Sequence, residues 1–154
     1  MVIPPNSLSR YQLLMVRSRL KSSDQKINLR RLDIIWVCRN IHQLQWFANL
    51  LATIQDDFKE LDPGFFHVNI YLTRADGKDQ VPAQLRESTT FGRPNWDRIL
   101  RKARNELEEG EYVENVDRVG VYLCGGHGLG KELAKTCRFY SDGKFAFPFK
   151  KEHF

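Results

Sequence analysis

A chain of 154 residues with 42% hydrophobic and 28% charged side chains has the makeup of one globular domain, which excludes a disordered or collagen-like polymer. No apolar run reaches the ~18 residues of a membrane-spanning helix, and the start, Met1-Val2-Ile3-Pro4-Pro5, lacks the charged-then-apolar plan of a signal peptide. The net charge of +5 is below the density of a dedicated nucleic-acid binder, and Cys38, Cys124 and Cys137 are too scattered for a disulfide framework, so they read as free thiols in a reducing compartment.

In chain order, Ser7–Leu20 predicts a short helix with Leu8, Tyr11, Leu14 and Met15 on one side, followed by a polar connector to Asn28. Much of the positive charge lies here and just beyond, in Arg10, Arg17, Arg19, Lys21, Lys26, Arg30 and Arg31. A solvated helix face and loop explains it, with a nucleic-acid patch and a flank facing anionic lipid headgroups as the other readings. No aromatic residues alternate with these charges to make a stacking platform for nucleic acid. The run Leu32-Asp33-Ile34-Ile35-Trp36-Val37-Cys38 then predicts a strand covered on both faces.

A helix follows, capped by Asn40 with Gln43 as reciprocal partner. Its apolar stripe is Ile41, Leu44, Phe47, Leu51, Ile54 and Phe58, and Pro63-Gly64 ends it. Val68, Ile70 and Leu72 alternate with His67, Asn69, Tyr71 and Thr73, the pattern of a strand. Arg74–Phe91 reads as a polar, irregular loop with a binding or specificity role. A second helix spans about Asn95 to Glu109, with Gly110 as its stop. Val119, Val121 and Leu123 mark a third strand, and Leu129–Arg138 a third helix. Phe145-Ala146-Phe147-Pro148-Phe149 marks a fourth strand, placed at an edge because Pro148 cannot donate a ladder hydrogen bond.

Strands alternating with helices predict an α/β fold: a Rossmann-like parallel sheet with helices on both faces. Ligands of such sheets sit beyond the carboxyl ends of the strands. Those ends carry Cys38-Arg39, Thr73-Arg74 and Cys124-Gly125-Gly126. Arg39 precedes a helix start, and so does Arg93 in Gly92-Arg93-Pro94-Asn95-Trp96; a guanidinium fork there suits a phosphate. Taken alone each is an ordinary loop cation, and the pair together points to an anionic ligand.

The glycine-rich run Gly125-Gly126-His127-Gly128-Leu129-Gly130-Lys131-Glu132 has the G-x-x-x-x-G-K spacing of a P-loop. Glu132 replaces the hydroxyl that binds magnesium, so a tight strand-to-helix turn is the better reading. Cys124 ends a strand at the same rim, where an inert thiol is the commoner role. His42, His67, His127 and His153 show no metal-ligand spacing with the cysteines, so no metal is expected. Phe154 closes the chain, where an aromatic ring at an edge strand could stack on a planar cofactor.

Several motifs occur in a telling order. They are Trp36-Val37-Cys38-Arg39, Gln45-Trp46-Phe47, Asn69-Ile70-Tyr71-Leu72-Thr73, Phe91-Gly92-Arg93-Pro94-Asn95-Trp96, Gly120-Val121-Tyr122-Leu123-Cys124-Gly125 and Lys151-Glu152-His153-Phe154. Together they closely resemble the NADPH-binding part of the NADPH oxidase family, including dual oxidases and plant respiratory-burst oxidases. The match runs from about Leu29 to Phe154. It implies a ferredoxin-reductase-type nucleotide-binding subdomain over residues 29–154, with residues 1–28 as an N-terminal helix and connector.

The resemblance implies roles as well. Arg39 and Arg93 match the arginines that grip the adenosine 2′-phosphate and select NADPH over NADH. Thr73 lines the same adenosine side. Cys124 and Gly125 match the pair that approaches the nicotinamide, and Phe154 the terminal aromatic that covers the flavin. The parent would be a transmembrane enzyme, passing hydride from NADPH to FAD and electrons through haem to oxygen, to give superoxide or hydrogen peroxide. NADPH, upstream FAD-binding and haem-bearing membrane domains, and cytosolic activator proteins are the implied partners, with no nucleic acid. The implied location is the cytoplasmic face of a membrane, with this piece itself soluble.

Two departures stand out. Gly126 replaces the proline usual after Cys-Gly. No counterpart of the family's first strand, with its glycine-rich, threonine-proline turn, precedes Leu29. In the family that strand lies mid-sheet, so the strands at Leu32–Cys38 and Arg118–Cys124 lose a shared neighbour. A truncated product, a partial gene model or an excised fragment, inactive alone, is expected. A ferric-chelate reductase relative and a non-catalytic interaction module of an oxidase are the alternatives.

Overall fold

The computed structural model describes residues 29–74, 80–109 and 118–152, without the side chains of residues 44–46, 60 and 61. The predicted helix at Ser7–Leu20, the helix stop at Gly110 and the ring of Phe154 lie outside them. The chain forms two compact units, one running to Arg93 and the other starting at Pro94.

In the first unit, β1 (Leu32–Cys38), α1 (His42–Leu61), β2 (Phe66–Leu72), a 3₁₀ turn (Ala83–Leu85) and β3 (Thr89–Phe91) follow in order. The sheet order is β1-β2-β3, and both pairings are parallel. Parallel neighbours need a long crossover, and α1 supplies it between β1 and β2. The predicted stripe of α1 is the buried one: Ile41, Phe47, Leu51, Ile54 and Phe58 all face inward. In β2, Phe66, Val68, Ile70 and Leu72 are buried while Asn69 is exposed, as its alternation predicts. Val81 and Leu85 complete this core from the intervening segment.

Three expectations change here. β1 is not covered on both faces: Asp33 and Val37 are exposed, and Ile34, Ile35 and Trp36 are half-buried. It stands at the edge of its sheet, with β2 as its one neighbour among the described residues. The polar segment 74–91 is not wholly irregular, because it ends in β3, which pairs Thr89, Thr90 and Phe91 with Ile70, Tyr71 and Leu72. The start of α1 is also tied differently. The Gln43 N–H donates to Asn40 Oδ1 at 3.3 Å, while Gln43 Oε1 accepts from the Arg39 N–H at 2.8 Å, one residue earlier than a capping box requires.

The second unit holds α2 (Trp96–Glu109), β4 (Val121–Cys124), α3 (His127–Tyr140) and β5 (Phe149–Glu152), with β4 and β5 parallel. The predicted strand at 145–149 moves to Phe149–Glu152. Arg118 still bridges Ala146 in the same register as Val121 with Phe149. The Val119 N–H donates to the Ala146 carbonyl and the Val121 N–H to the Pro148 carbonyl, both at 2.9 Å. Pro148 has no N–H to return, so the continuous ladder starts only after it. The alternation itself holds, since Phe145 and Phe147 are buried.

Polar bonds tie α2 to α3 and the turn after it. The Tyr140 hydroxyl donates to Asp97 Oδ1 at 2.7 Å and accepts from Arg101 Nε at 3.2 Å. Arg104 donates to the Tyr140 carbonyl at 2.7 Å and pairs with Asp142. Asp142 also accepts the N–H groups of Phe145 and Lys144, each at 2.8 Å. The Phe145 amide above all, then the Arg104 guanidinium and the Lys144 amide, lower its pKa from the ordinary 3.8 to about 2.

A lowered carboxylate pKa gives stability that is fully present above the ordinary value and lost as pH falls through the folded one. The urea midpoint of the chain should therefore drop between about pH 4 and pH 2. In Asp142→Asn that drop should be smaller. Parallel pH profiles for the two proteins would contradict this role.

No helix of the described residues is long and apolar enough to cross a membrane.

Candidate functional site

The carboxyl edge of the three-stranded sheet is built residue by residue from its register. Cys38, Leu72 and Phe91 stand in one row at the ends of β1, β2 and β3. Backbone bonds carry the row beyond the strands. The Thr73 N–H donates to the Cys38 carbonyl at 2.9 Å, the Arg74 N–H to the Arg39 carbonyl at 3.0 Å, and the Gly92 N–H to the Leu72 carbonyl at 2.8 Å. The Thr73 hydroxyl donates to the same Cys38 carbonyl at 3.3 Å. Arg39, Thr73 and Arg93, predicted from three separated motifs, therefore share one sheet edge.

Gly92 lets the chain turn off β3. Its φ of +120° lies where side chains are strained, while a Cβ there would meet nothing within 4 Å. Backbone freedom, not close packing, is thus what the glycine supplies. Arg93 follows at once, and Pro94 after it.

Arg39, Arg74 and Arg93 are all exposed. Ion pairs among the described residues engage Arg31, Lys59, Arg101, Lys102 and Arg104, and none of these three. Their backbones share one sheet edge, and a guanidinium without a carboxylate partner is free to donate to an anion.

Cys124 and Gly125 lie in the second unit, at the end of β4. Cys124 is half-buried, whereas Cys38 and Cys137 are buried, and all three are free. Burial raises the Cys38 thiol pKa, and pushes that of Cys137 up to about 11. A neutral, buried thiol is a poor nucleophile. A disulfide reagent added to the native chain should label Cys124 first, with Cys38 and Cys137 following only on unfolding; equal rates at all three would contradict this burial order.

The glycine run after Cys124 forms no phosphate-cradling loop. Gly126 caps α3, and the helix has begun by His127, so most of the P-loop-like spacing is helical. Gly130 is buried, and a Cβ on it would press 3.2 Å from Cδ of Lys151 on β5. That glycine serves packing. Among the described residues no three histidine, cysteine or acidic side chains gather as metal ligands.

Sequence reasoning missed β3, which is what sets Arg93 beside Thr73. Its signal was weak: two threonines and a phenylalanine after a polar stretch.

Comparison with known proteins adds to this geometry. The model of the ferric reductase NAD binding domain matches residues 11–90 and 78–138 in two overlapping stretches. NADPH oxidase 1 of Rattus norvegicus is 31% identical over 152 residues, covering 88% of this chain and 26% of that protein. NADPH oxidase 4 of Homo sapiens is 32% identical over 131 residues, covering 82% of this chain and 22% of that protein. A superoxide-generating NADPH oxidase heavy chain of Dictyostelium discoideum is 26% identical over 164 residues, covering 99% of this chain and 22% of that protein. The chain thus spans about a quarter of the length of the relatives it matches.

Proposed function

This chain belongs to the family of the ferric reductase NAD binding domain, and on that premise we propose that it is the NADPH-binding portion of a transmembrane NADPH oxidase. The first unit takes the adenosine end of the nucleotide. Arg39 and Arg93 hold the 2′-phosphate by charge-assisted bonds, and Thr73 lines the adenosine beside them. The backbone row joining Cys38, Thr73, Leu72 and Gly92 is the observation that carries this reading, because it fixes both guanidinium-bearing residues at one edge.

The resemblance also assigns residues to the nicotinamide end. Cys124 and Gly125 approach the ring, and the glycine lets the backbone come close. No acid or base is required of these residues, since the nucleotide supplies the hydride and the protein supplies position. Phe154 would be the aromatic residue that covers the flavin of the parent and gives way to nicotinamide. In the whole oxidase, FAD and haem belong to domains beyond this chain, which sits at the cytoplasmic face of the membrane. Hydride would pass from NADPH to FAD and single electrons through haem to oxygen, giving superoxide or hydrogen peroxide, under the control of cytosolic activators.

Titration of the folded chain with NADPH and with NADH tests the proposal. Saturable NADPH binding, with NADH weaker by an order of magnitude or more, is the expected result. A folded chain that binds neither nucleotide would instead favour an interaction module.

A further inference from the structure

We propose that Arg74 is a third anion-gripping residue of this edge, one that sets the preference for a 2′-phosphorylated nucleotide; the inference rests on the nucleotide reading above. The pair Arg39 and Arg93 is assigned by resemblance, whereas Arg74 is reached only through the sheet.

β1, β2 and β3 are consecutive neighbours. Each sends an arginine off its carboxyl end within two residues of its last ladder position: Arg39 after Cys38, Arg74 after Leu72 and Arg93 after Phe91. Neighbouring strands lie about 4.8 Å apart, so the three backbones fall within about 10 Å of one another across the edge. Arg74 is the middle one and is joined directly to the first, its N–H donating to the Arg39 carbonyl at 3.0 Å.

All three side chains are exposed, and no ion pair with a described carboxylate occupies any of them. Like charges on one edge repel, and a dianion bound there would relieve the repulsion while accepting their hydrogen bonds. A phosphomonoester offers three peripheral oxygens, enough for three guanidinium donors. The middle strand supplies the donor that closes the gap between the outer two.

The test compares 2′,5′-ADP with 5′-AMP, which differ only in the 2′-phosphate, on the whole chain by calorimetry at low salt. Arg74→Ala and Arg74→Gln should weaken 2′,5′-ADP about tenfold, the scale of one charged hydrogen-bond partner. They should leave 5′-AMP and the far-ultraviolet dichroism unchanged. Arg74→Lys should recover part of the loss, since it keeps the charge but not the fork.

If Arg39→Ala and Arg93→Ala weaken 2′,5′-ADP while Arg74→Ala does not, the role of Arg74 is overturned and the nucleotide reading stands. Equal loss of both ligands in Arg74→Ala also overturns it, as an effect on the edge and not on the 2′-phosphate. No binding of 2′,5′-ADP to the folded wild-type chain overturns both.

Discussion

Replacing Leu51 by alanine should cost the chain about 2–5 kcal/mol of unfolding free energy, read from urea denaturation. Leu51 is 0% exposed, in the middle of the buried stripe of α1. Its neighbours in that core include Ile70 and Leu72 of β2 and Leu85 of the 3₁₀ turn, each also fully enclosed. Removing three carbons there loses the transfer energy and leaves a cavity, because α1 is held between short connections to β1 and β2. Leu51→Met, which keeps the volume, should cost less than about 1.5 kcal/mol. Phe139→Ala should fall within about 0.5 kcal/mol, since that ring is 77% exposed. A Leu51→Ala chain as stable as the Phe139→Ala chain would mean that α1 does not seal this core.

The second large effect concerns binding. Arg39→Ala combined with Arg93→Ala should weaken NADPH about 100-fold and NADH less than about threefold, so that most of the preference between the two is lost. As a charged partner each arginine would contribute about 1.5–3 kcal/mol, and two that act on one phosphate would add incompletely. Wild-type affinity for NADPH should also fall with added salt, since the edge is exposed and its charges are screened. In the double variant most of that salt dependence should vanish. Equal losses for NADPH and NADH would show that the arginines do not recognise the 2′-phosphate.

The parts of the fold legible in the sequence are those where one face meets one core. The stripe Ile41, Phe47, Leu51, Ile54 and Phe58 is helical in spacing and buried in fact. β2 announces itself because alternate residues face alternate environments. β3 does not: three residues are too short for a period, and their pairing is chosen by Ile70, Tyr71 and Leu72, about twenty positions earlier. The shift of β5 has the opposite cause. Phe145 and Phe147 give a visible alternation, but a ladder needs N–H donors, and Pro148 withholds one. Phe149-Lys150-Lys151-Glu152, which does pair, shows no apolar alternation at all.

The start of α3 was hidden by composition. Gly125, Gly126, Gly128 and Gly130 suggest a loop, yet none has a positive φ, and the helix runs through the last two. For the site, Arg39 and Arg93 stood out singly, each just before a helix. That they share an edge depends on β3, a tertiary fact. The same fact brings Arg74 from the start of a supposed loop to the centre of the row.

The proposed seat of the phosphate-bearing nucleotide is the carboxyl edge of the three-stranded sheet. The most direct measurement is a nitrogen–proton correlation spectrum of the labelled chain during titration with 2′,5′-ADP. Saturable shifts of the Arg39, Thr73, Arg74, Gly92 and Arg93 amides are predicted. Shifts confined to Gly125–Lys131, with that edge unmoved, would contradict the account.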